Sequence, residues 1–203
     1  MTRLVLLRHG MTEANERRLY CGSADLPLSP AGRAALEALR EAGGYPPLNG
    51  LRVYTSGMRR AEETLRVLYG DVPHERERDL REVDFGAFEL RSWEELRGDA
   101  AYEAWCAGDS ERSRCPGGES GALMRARVLA ALGRILRGGG GALLVTHGGP
   151  VAAILDHFYP EAGKNRWQWQ PRPGEGYALL LGPDGRPVSR EAVPRAAGDL
   201  RTI

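Results

Sequence analysis

The sequence predicts an α/β fold with a largely parallel sheet, and three observations predict it. Short apolar runs at 2–7, 51–55 and 142–146 alternate with helical patterns. The first and third are almost continuously apolar, as strands buried on both faces require. Each run ends abruptly in a polar cluster: Arg8-His9-Gly10, Thr55-Ser56-Gly57-Met58-Arg59-Arg60 and Thr146-His147-Gly148-Gly149.

The elements follow from local signals. Ser29-Pro30 opens a helix by N-cap and N1 chemistry, and Leu36, Leu39 and Arg40 continue it to Gly43-Gly44. The strand Leu51 to Thr55 is followed by a helix from about Met58 to Tyr69. Between 86 and 137 the pattern turns wholly helical. Ser92 caps a short helix with Trp93 and Leu96, and Asp99 one with Tyr102, Trp105 and Cys106. After a loop from Glu111 to Glu119, Ser120 opens a long helix that runs to about Arg137 and stops at four glycines. The strand Ala142 to Thr146 leads to a helix over Val151 to Phe158. Pro183-Asp184-Gly185 turns a closing hairpin between 177–181 and 188–193. Phe88 to Gly118 reads as an insertion over the sheet within a single domain.

Composition removes several classes. Lys plus Arg (28) less Asp plus Glu (27) leaves +1, so no nucleic-acid or membrane partner is expected. Lys164 is the sole lysine, leaving 28 − 1 = 27 arginines, a bias read as background except where individual arginines fall at strand ends. Cys21, Cys106 and Cys115 are odd in number and form no C-x-x-C pair. The apolar run Leu4 to Leu7 is too short for a signal-peptide core, and no stretch approaches about 20 apolar residues. A soluble, cytoplasmic protein is expected. Gly163-Lys164 has the wrong flanks for a P-loop, and the Gly138 to Gly141 run precedes a strand instead of following one. Gly118-Glu119-Ser120-Gly121-Ala122 lacks the second glycine of a serine elbow, and no His/Cys spacing suits a metal.

What remains is histidine, arginine and acid chemistry with no metal or cofactor expected. Ligands in open α/β sheets bind beyond the strands' carboxyl ends, so the three clusters converge on one crevice. That combination suits phosphoryl transfer, whose charge sits on peripheral oxygens and calls for cationic forks. Arg8 and Arg60 offer the forks and His147 a further donor. His9, held neutral by the neighbouring guanidinium charge, is a nucleophile for phosphorus. The leaving oxygen needs a proton, for which Glu82 and Asp84 are both candidates by position.

These residues carry a family resemblance. Arg8-His9-Gly10-Met11-Thr12-Glu13-Ala14-Asn15 resembles the R-H-G-x-T-x-x-N signature of the histidine phosphatase (phosphoglycerate mutase-like) superfamily. The segment Ser56 to Thr64 is similar to its S-P-L-x-R-A-x-x-T block, and 25–32, 80–89, 116–120 and 146–149 match further blocks in order. The resemblance implies a three-layer α/β/α sandwich with a mostly parallel central sheet and a helical cap at about 88–118. It implies a phosphorylated His9 with Arg8, Arg60 and His147 around the phosphate. Thr12, Asn15, Ser56 and Gly148 are implied to line or adjoin that pocket, and the proton donor falls on Glu82. Met11, Gly57-Met58 and Phe88-Glu89-Leu90 depart from the family pattern without removing any of these groups.

Leu19-Tyr20-Cys21-Gly22 and Tyr102-Glu103-Ala104-Trp105-Cys106 are similar to the α-ribazole phosphatases of cobalamin assembly, which puts Cys21 and Gly22 beside the substrate. A small phosphate ester is therefore the expected partner, α-ribazole 5′-phosphate ahead of general sugar phosphates or nucleotides. A phosphoglycerate mutase and a non-catalytic phospholigand-binding module are the other classes, and a homodimer is an admissible assembly.

Several residues have plainer readings. Trp93 with Leu96, and Tyr102 with Trp105 and Cys106, lie at helical spacing that favours core over base stacking. Arg91, Arg112 and Arg114 read as surface, and His74 and His157 as inert. Gly117 to Ser120 reads as pocket wall or helix start, and Cys21 as a small buried residue or a thiol near the site. Trp167 and Trp169 alternate with glutamines, which predicts a half-buried extended segment.

Overall fold

A computed structural model describes residues 1–109, 111–160 and 166–195. Gly163, Lys164, the Trp167 side chain and the tail from 196 onward lie outside the described residues.

The chain runs β1 (Thr2–Arg8), α1 (Glu13–Glu16), α2 (Pro30–Ala42), β2 (Leu51–Thr55), α3 (Arg59–Tyr69) and β3 (Glu75–Arg76). It continues through α4 (Trp93–Leu96), α5 (Ala100–Ala107), α6 (Gly121–Arg137), β4 (Gly141–Thr146), α7 (Gly148–Phe158), β5 (Gly176–Leu181) and β6 (Pro187–Val193). The strands form one sheet in the order β3-β2-β4-β1-β5-β6. β3, β2, β4 and β1 are mutually parallel, while β5 and β6 run antiparallel at one edge.

Alternation along the strands builds the two cores. Leu4 and Leu6 of β1 and Leu144 of β4 point to one face, against Met124, Val128 and Ile135 of α6 and Ile154 of α7. Val5, Leu7, Leu143 and Val145 point to the other, against Leu36 of α2 and Ala61, Leu65 and Leu68 of α3. β1 and β4 are therefore apolar on both faces, as their unbroken runs require, and the α/β/α layering follows.

Residues between β3 and α6 build a third, smaller apolar cluster. Phe88, Leu96 and Cys115 are its buried centre, with Tyr20, Phe85, Tyr102 and Trp105 packed around them. Leu96 is buried while Trp93 is 48% exposed beneath the Arg97 guanidinium, so the short helix uses only part of its apolar stripe. Cys106 is exposed, Cys115 buried and both are free thiols. Among the described residues no helix is long and apolar enough to cross a membrane.

Two local expectations need correction. Arg166–Trp169 is a 3-10 turn, not an extended segment. The alternation is deceptive there because Trp169 is drawn into the core beside Tyr159, at 5.9 Å between ring centroids. Helix α7 begins at Gly148, three residues before the expected start at Val151, with His147 as its N-cap. Gly-Gly-Pro reads as a breaker, yet Pro is at home in a first helical turn.

Replacing Leu144, fully buried in β4, with Ala should cost about 2–5 kcal/mol of unfolding free energy. A urea titration measures it, and a loss well below about 2 kcal/mol would mean that this face of the sheet is loosely packed.

Candidate functional site

Because β1, β2 and β4 are parallel neighbours, their carboxyl ends meet at one rim of the sheet. Backbone bonds lock them together: His9 N–H donates to Thr146 O at 2.9 Å and Ser56 N–H to Val145 O at 3.2 Å. Gly10 N–H donates to Thr64 Oγ1 at 2.9 Å, and that hydroxyl donates to Arg60 O at 2.6 Å, tying the end of β1 to the first turn of α3.

His9 and His147 lie 5.0 Å apart between ring centroids, edge to face. His9 Nδ1 faces the carbonyl oxygen of Gly10 at 2.6 Å. A carbonyl only accepts, so Nδ1 carries the proton and Nε2 keeps a free lone pair. Burial first, then the charges of Arg60 and Arg8, hold the His9 imidazole well below the usual range. The neutrality expected from guanidinium charge thus has desolvation as its larger cause. His147, fully buried, is pushed down in the same way, by burial and then by Arg60.

Arg60 is 1% exposed. Its Nη1 donates to Ala24 O at 2.7 Å, its Nη2 to Gly22 O at 2.8 Å, and its Nε to His147 Nδ1 at 3.2 Å. That last bond assigns the His147 proton to Nε2, which stands 2.8 Å from Ser56 Oγ. The loop whose carbonyls face Arg60 presents its N–H groups to Glu89, whose carboxylate accepts from Gly22, Ser23 and Ala24 at 2.8–3.2 Å. A Cβ at Gly22 would overlap the Val83 carbonyl, so the loop needs glycine there. Arg8 donates through Nη1 to Pro171 O at 2.9 Å, while its buried Nε has no hydrogen-bond partner among the described residues.

The two acids separate clearly. The Asp84 carboxylate accepts from Gly86 N–H at 2.9 Å and shapes a turn. Glu82 turns instead toward the histidines' rim, where it accepts from its neighbour Val83 N–H and from Gly149 N–H, each at 3.0 Å. A Cβ at Gly149 would overlap that carboxylate.

A cavity of about 210 Å³ opens beside this cluster. Arg8, Glu82, Gly149 and Gln170 form its polar side; Tyr20, Phe85, Trp105, Leu19, Val83 and Met124 form an apolar wall. Among the expected site residues, Arg8, Asn15, Cys21 and Glu82 line it directly. Asn15 accepts from Thr12 N–H and Oγ1–H, both at 3.0 Å, in a capping box at α1, so its amide NH₂ is the end it can offer a ligand. Thr12 and Ser56 are buried behind the rim, and Gly148 and Gly22 lie in the backbone supporting it. Cys21 donates to Ala24 O at 3.7 Å, and burial raises its thiol, which leaves it poorly ionised.

Residues not foreseen from sequence include Glu89, Gly149, Gln170 and the Glu119–Arg127 pair. Glu89, Gly149 and Glu119 each lie inside a matched block, and 117–120 also reads as pocket wall, whereas Gln170 and Arg127 carry no signal. His74 is less idle than expected: its Nε2 lies 3.0 Å from Glu62 and its Nδ1 2.9 Å from Val72 O, pinning β3 to α3. Arg91 pairs with Asp99, Arg112 with Asp109, and Arg114 donates to Gly118 O, all outside the cavity lining.

A family model described as the histidine phosphatase superfamily (branch 1) matches residues 4–191. The chain is similar to an adenosylcobalamin/alpha-ribazole phosphatase of Salmonella typhimurium, 31% identical over 202 residues, covering 93% of this chain and 98% of that one. It is also similar to a 2,3-bisphosphoglycerate-dependent phosphoglycerate mutase of Methylobacterium radiotolerans, 35% identical over 170 residues, covering 75% and 76%. The crystal structure of the alpha-ribazole phosphatase from Shigella flexneri superposes with a TM-score of 0.83 at 24% identity, covering 96% and 98%, which concerns the fold alone.

The two depressed imidazoles make stability depend on pH. As pH falls through about 6.5, unfolded histidines take protons that folded His9 and His147 refuse. Stability should therefore be full above that range and decline on the acid side. Urea midpoints at pH 7.5 and 5.5 measure the decline, which should be smaller in His9→Ala; equal declines would mean that His9 titrates alike in both states.

Proposed function

The chain belongs to branch 1 of the histidine phosphatase superfamily, and we propose that it hydrolyses a phosphomonoester through a phosphohistidine on His9, with α-ribazole 5′-phosphate as substrate. The observation that carries the catalytic part is the unprotonated Nε2 of His9, with the buried Arg60 and half-buried Arg8 guanidinium groups acting on its imidazole and Glu82 held on the same rim by Gly149 N–H.

In this reading Nε2 attacks phosphorus while Arg8 and Arg60 neutralise the peripheral oxygens. The phosphorus–oxygen bond of the ester breaks, its electron pair leaves on the ester oxygen, and that oxygen takes a proton from Glu82. Water then attacks the phosphohistidine and gives a proton back to the Glu82 carboxylate. Inorganic phosphate departs and both side chains return to their starting forms. His147 contributes its Nε2–H, released from Ser56, to a phosphate oxygen. Asn15 adds an amide N–H from the cavity side.

The substrate part is supported by the wall opposite Arg8 and Glu82. Tyr20, Phe85 and Trp105 present aromatic surface where a flat base would lie. Among the described residues Arg8 is the one cation lining the cavity. A second carboxylate or phosphate on the substrate thus meets no partner there, which favours a phosphatase over a phosphoglycerate mutase. Trp93, exposed under the Arg97 guanidinium, does not line this wall.

The test is phosphate release from α-ribazole 5′-phosphate beside sugar phosphates, phosphoglycerates and nucleotides. Marked preference for the first is expected, unaffected by chelator because arginines supply the charge. His9→Ala should abolish release, and Glu82→Gln should slow it by about 10²–10⁴-fold. Flat activity across the panel would replace the α-ribazole reading by a broad-specificity phosphatase, and chelator sensitivity would contradict the mechanism.

A further inference from the structure

Arg127 stands in α6, outside the cavity lining, yet three of its five N–H groups hold the segment that carries Glu82 and the other two hold Glu119. Its Nη1 donates to Asp79 O at 2.9 Å and to Arg81 O at 2.7 Å, and its Nη2 to Glu82 O at 2.7 Å. The remaining two N–H groups fork onto Glu119, Nε to Oε1 at 2.8 Å and Nη2 to Oε2 at 2.7 Å. Glu119 in turn accepts from Asp84 N–H at 3.1 Å, and its own N–H donates to Asp84 O at 2.8 Å. One guanidinium thus gathers three carbonyls from residues 79–82, while its carboxylate partner takes the backbone of Asp84.

This is an unusual use of a cation. The 79–84 segment has a single 3-10 turn, Arg78–Leu80, and no ladder to hold the rest. Without Arg127, the carbonyls of Arg81 and Glu82 would have no donor of comparable strength in a partly buried place. The helix beneath is rigid: Met124, Val128 and Ala131 of α6 are fully buried. Glu82 is then fixed at two points. Arg127 of α6 holds its backbone, and Gly149 N–H of α7 receives its side chain.

We propose that Arg127 is a positioning residue that aims the Glu82 carboxyl at the leaving oxygen of the substrate. The proposal rests on the reading of Glu82 as proton donor and deepens it. The step concerned is breaking of the ester's phosphorus–oxygen bond with transfer of the Glu82 proton to the departing oxygen. An alkyl leaving group depends strongly on that proton, whereas p-nitrophenolate departs without it. A misplaced Glu82 should therefore penalise alkyl esters selectively. Loss of general stability would lower both substrates alike.

The experiment measures kcat/KM, which reports steps up to ester cleavage, for α-ribazole 5′-phosphate and p-nitrophenyl phosphate. The proteins are the wild type, Arg127→Met, Arg127→Lys, Glu82→Gln and the double variant Glu82→Gln/Arg127→Met. In Arg127→Met the alkyl ester should lose at least about ten-fold more than the aryl ester, in the direction set by Glu82→Gln. Arg127→Lys, which keeps the charge but not the fork, should show a smaller skew of the same sign. It serves if the methionine variant does not fold. In the double variant the skew should not exceed that of Glu82→Gln alone, because both changes remove one function. Parallel losses on the two esters in the Arg127 variants, beside a skew in Glu82→Gln, would overturn the positioning role and leave the acid in place. No skew in Glu82→Gln itself would overturn both.

Discussion

A buried positive charge organises the site. Arg60 is almost completely removed from water, and no carboxylate among the described residues is bonded to it. Burying an ion this way is costly unless polar groups replace its hydration. The replacements are the carbonyls of Gly22 and Ala24 and the lone pair of His147. Each has a consequence. Turning two carbonyls inward obliges their loop to satisfy its N–H groups on the other side, where Glu89 accepts them. Using the imidazole as an acceptor requires it to stay neutral, which burial and the two arginines enforce. The positive potential that remains reaches the cavity at Arg8, which lines it.

The parallel sheet makes this arrangement affordable in conformational terms. His9, Ser56 and His147 each follow the last residue of a strand whose apolar residues Leu4 to Leu7, Val53 and Tyr54, or Ala142 to Val145 are buried. Their backbones are therefore fixed by the core before any ligand arrives, and the reacting groups need little further ordering. The acid is different. Glu82 belongs to an irregular segment, and its placement is delegated to two helices on the same face of the sheet, α6 through Arg127 and α7 through Gly149. The rigid part of the site is thus the end proposed to hold phosphate. The end proposed for the leaving group depends on longer-range polar contacts.

That division matches what was legible in the sequence. Every strand but β3, the helix at Ser29-Pro30 and the three terminal clusters are legible because caps, apolar runs and strand ends are local patterns, whereas β3 is two exposed charged residues with no apolar run. Glu82 and Asp84 were not separable by arithmetic, since both sit two residues apart on one loop. Only the neighbours distinguish them: Gly86 N–H takes Asp84, and Gly149 N–H draws Glu82 toward the histidines. Glu89 and Arg127 act across 67 and 45 residues, and no spacing rule reaches that far. The start of α7 and the turn at 166–169 were misread for a related reason. Gly-Gly-Pro and alternating tryptophans carry one meaning locally and another once the core claims Trp169.

The most direct test of the mechanism is to trap the intermediate. The enzyme is mixed with labelled α-ribazole 5′-phosphate, or with p-nitrophenyl phosphate, quenched in alkaline denaturant during turnover, and digested for mass spectrometry. The expected result is acid-labile phosphate on the peptide bearing His9, present while substrate remains and gone once it is consumed. Steady turnover with no phosphate on His9, or with phosphate on another side chain such as Cys21, would contradict it.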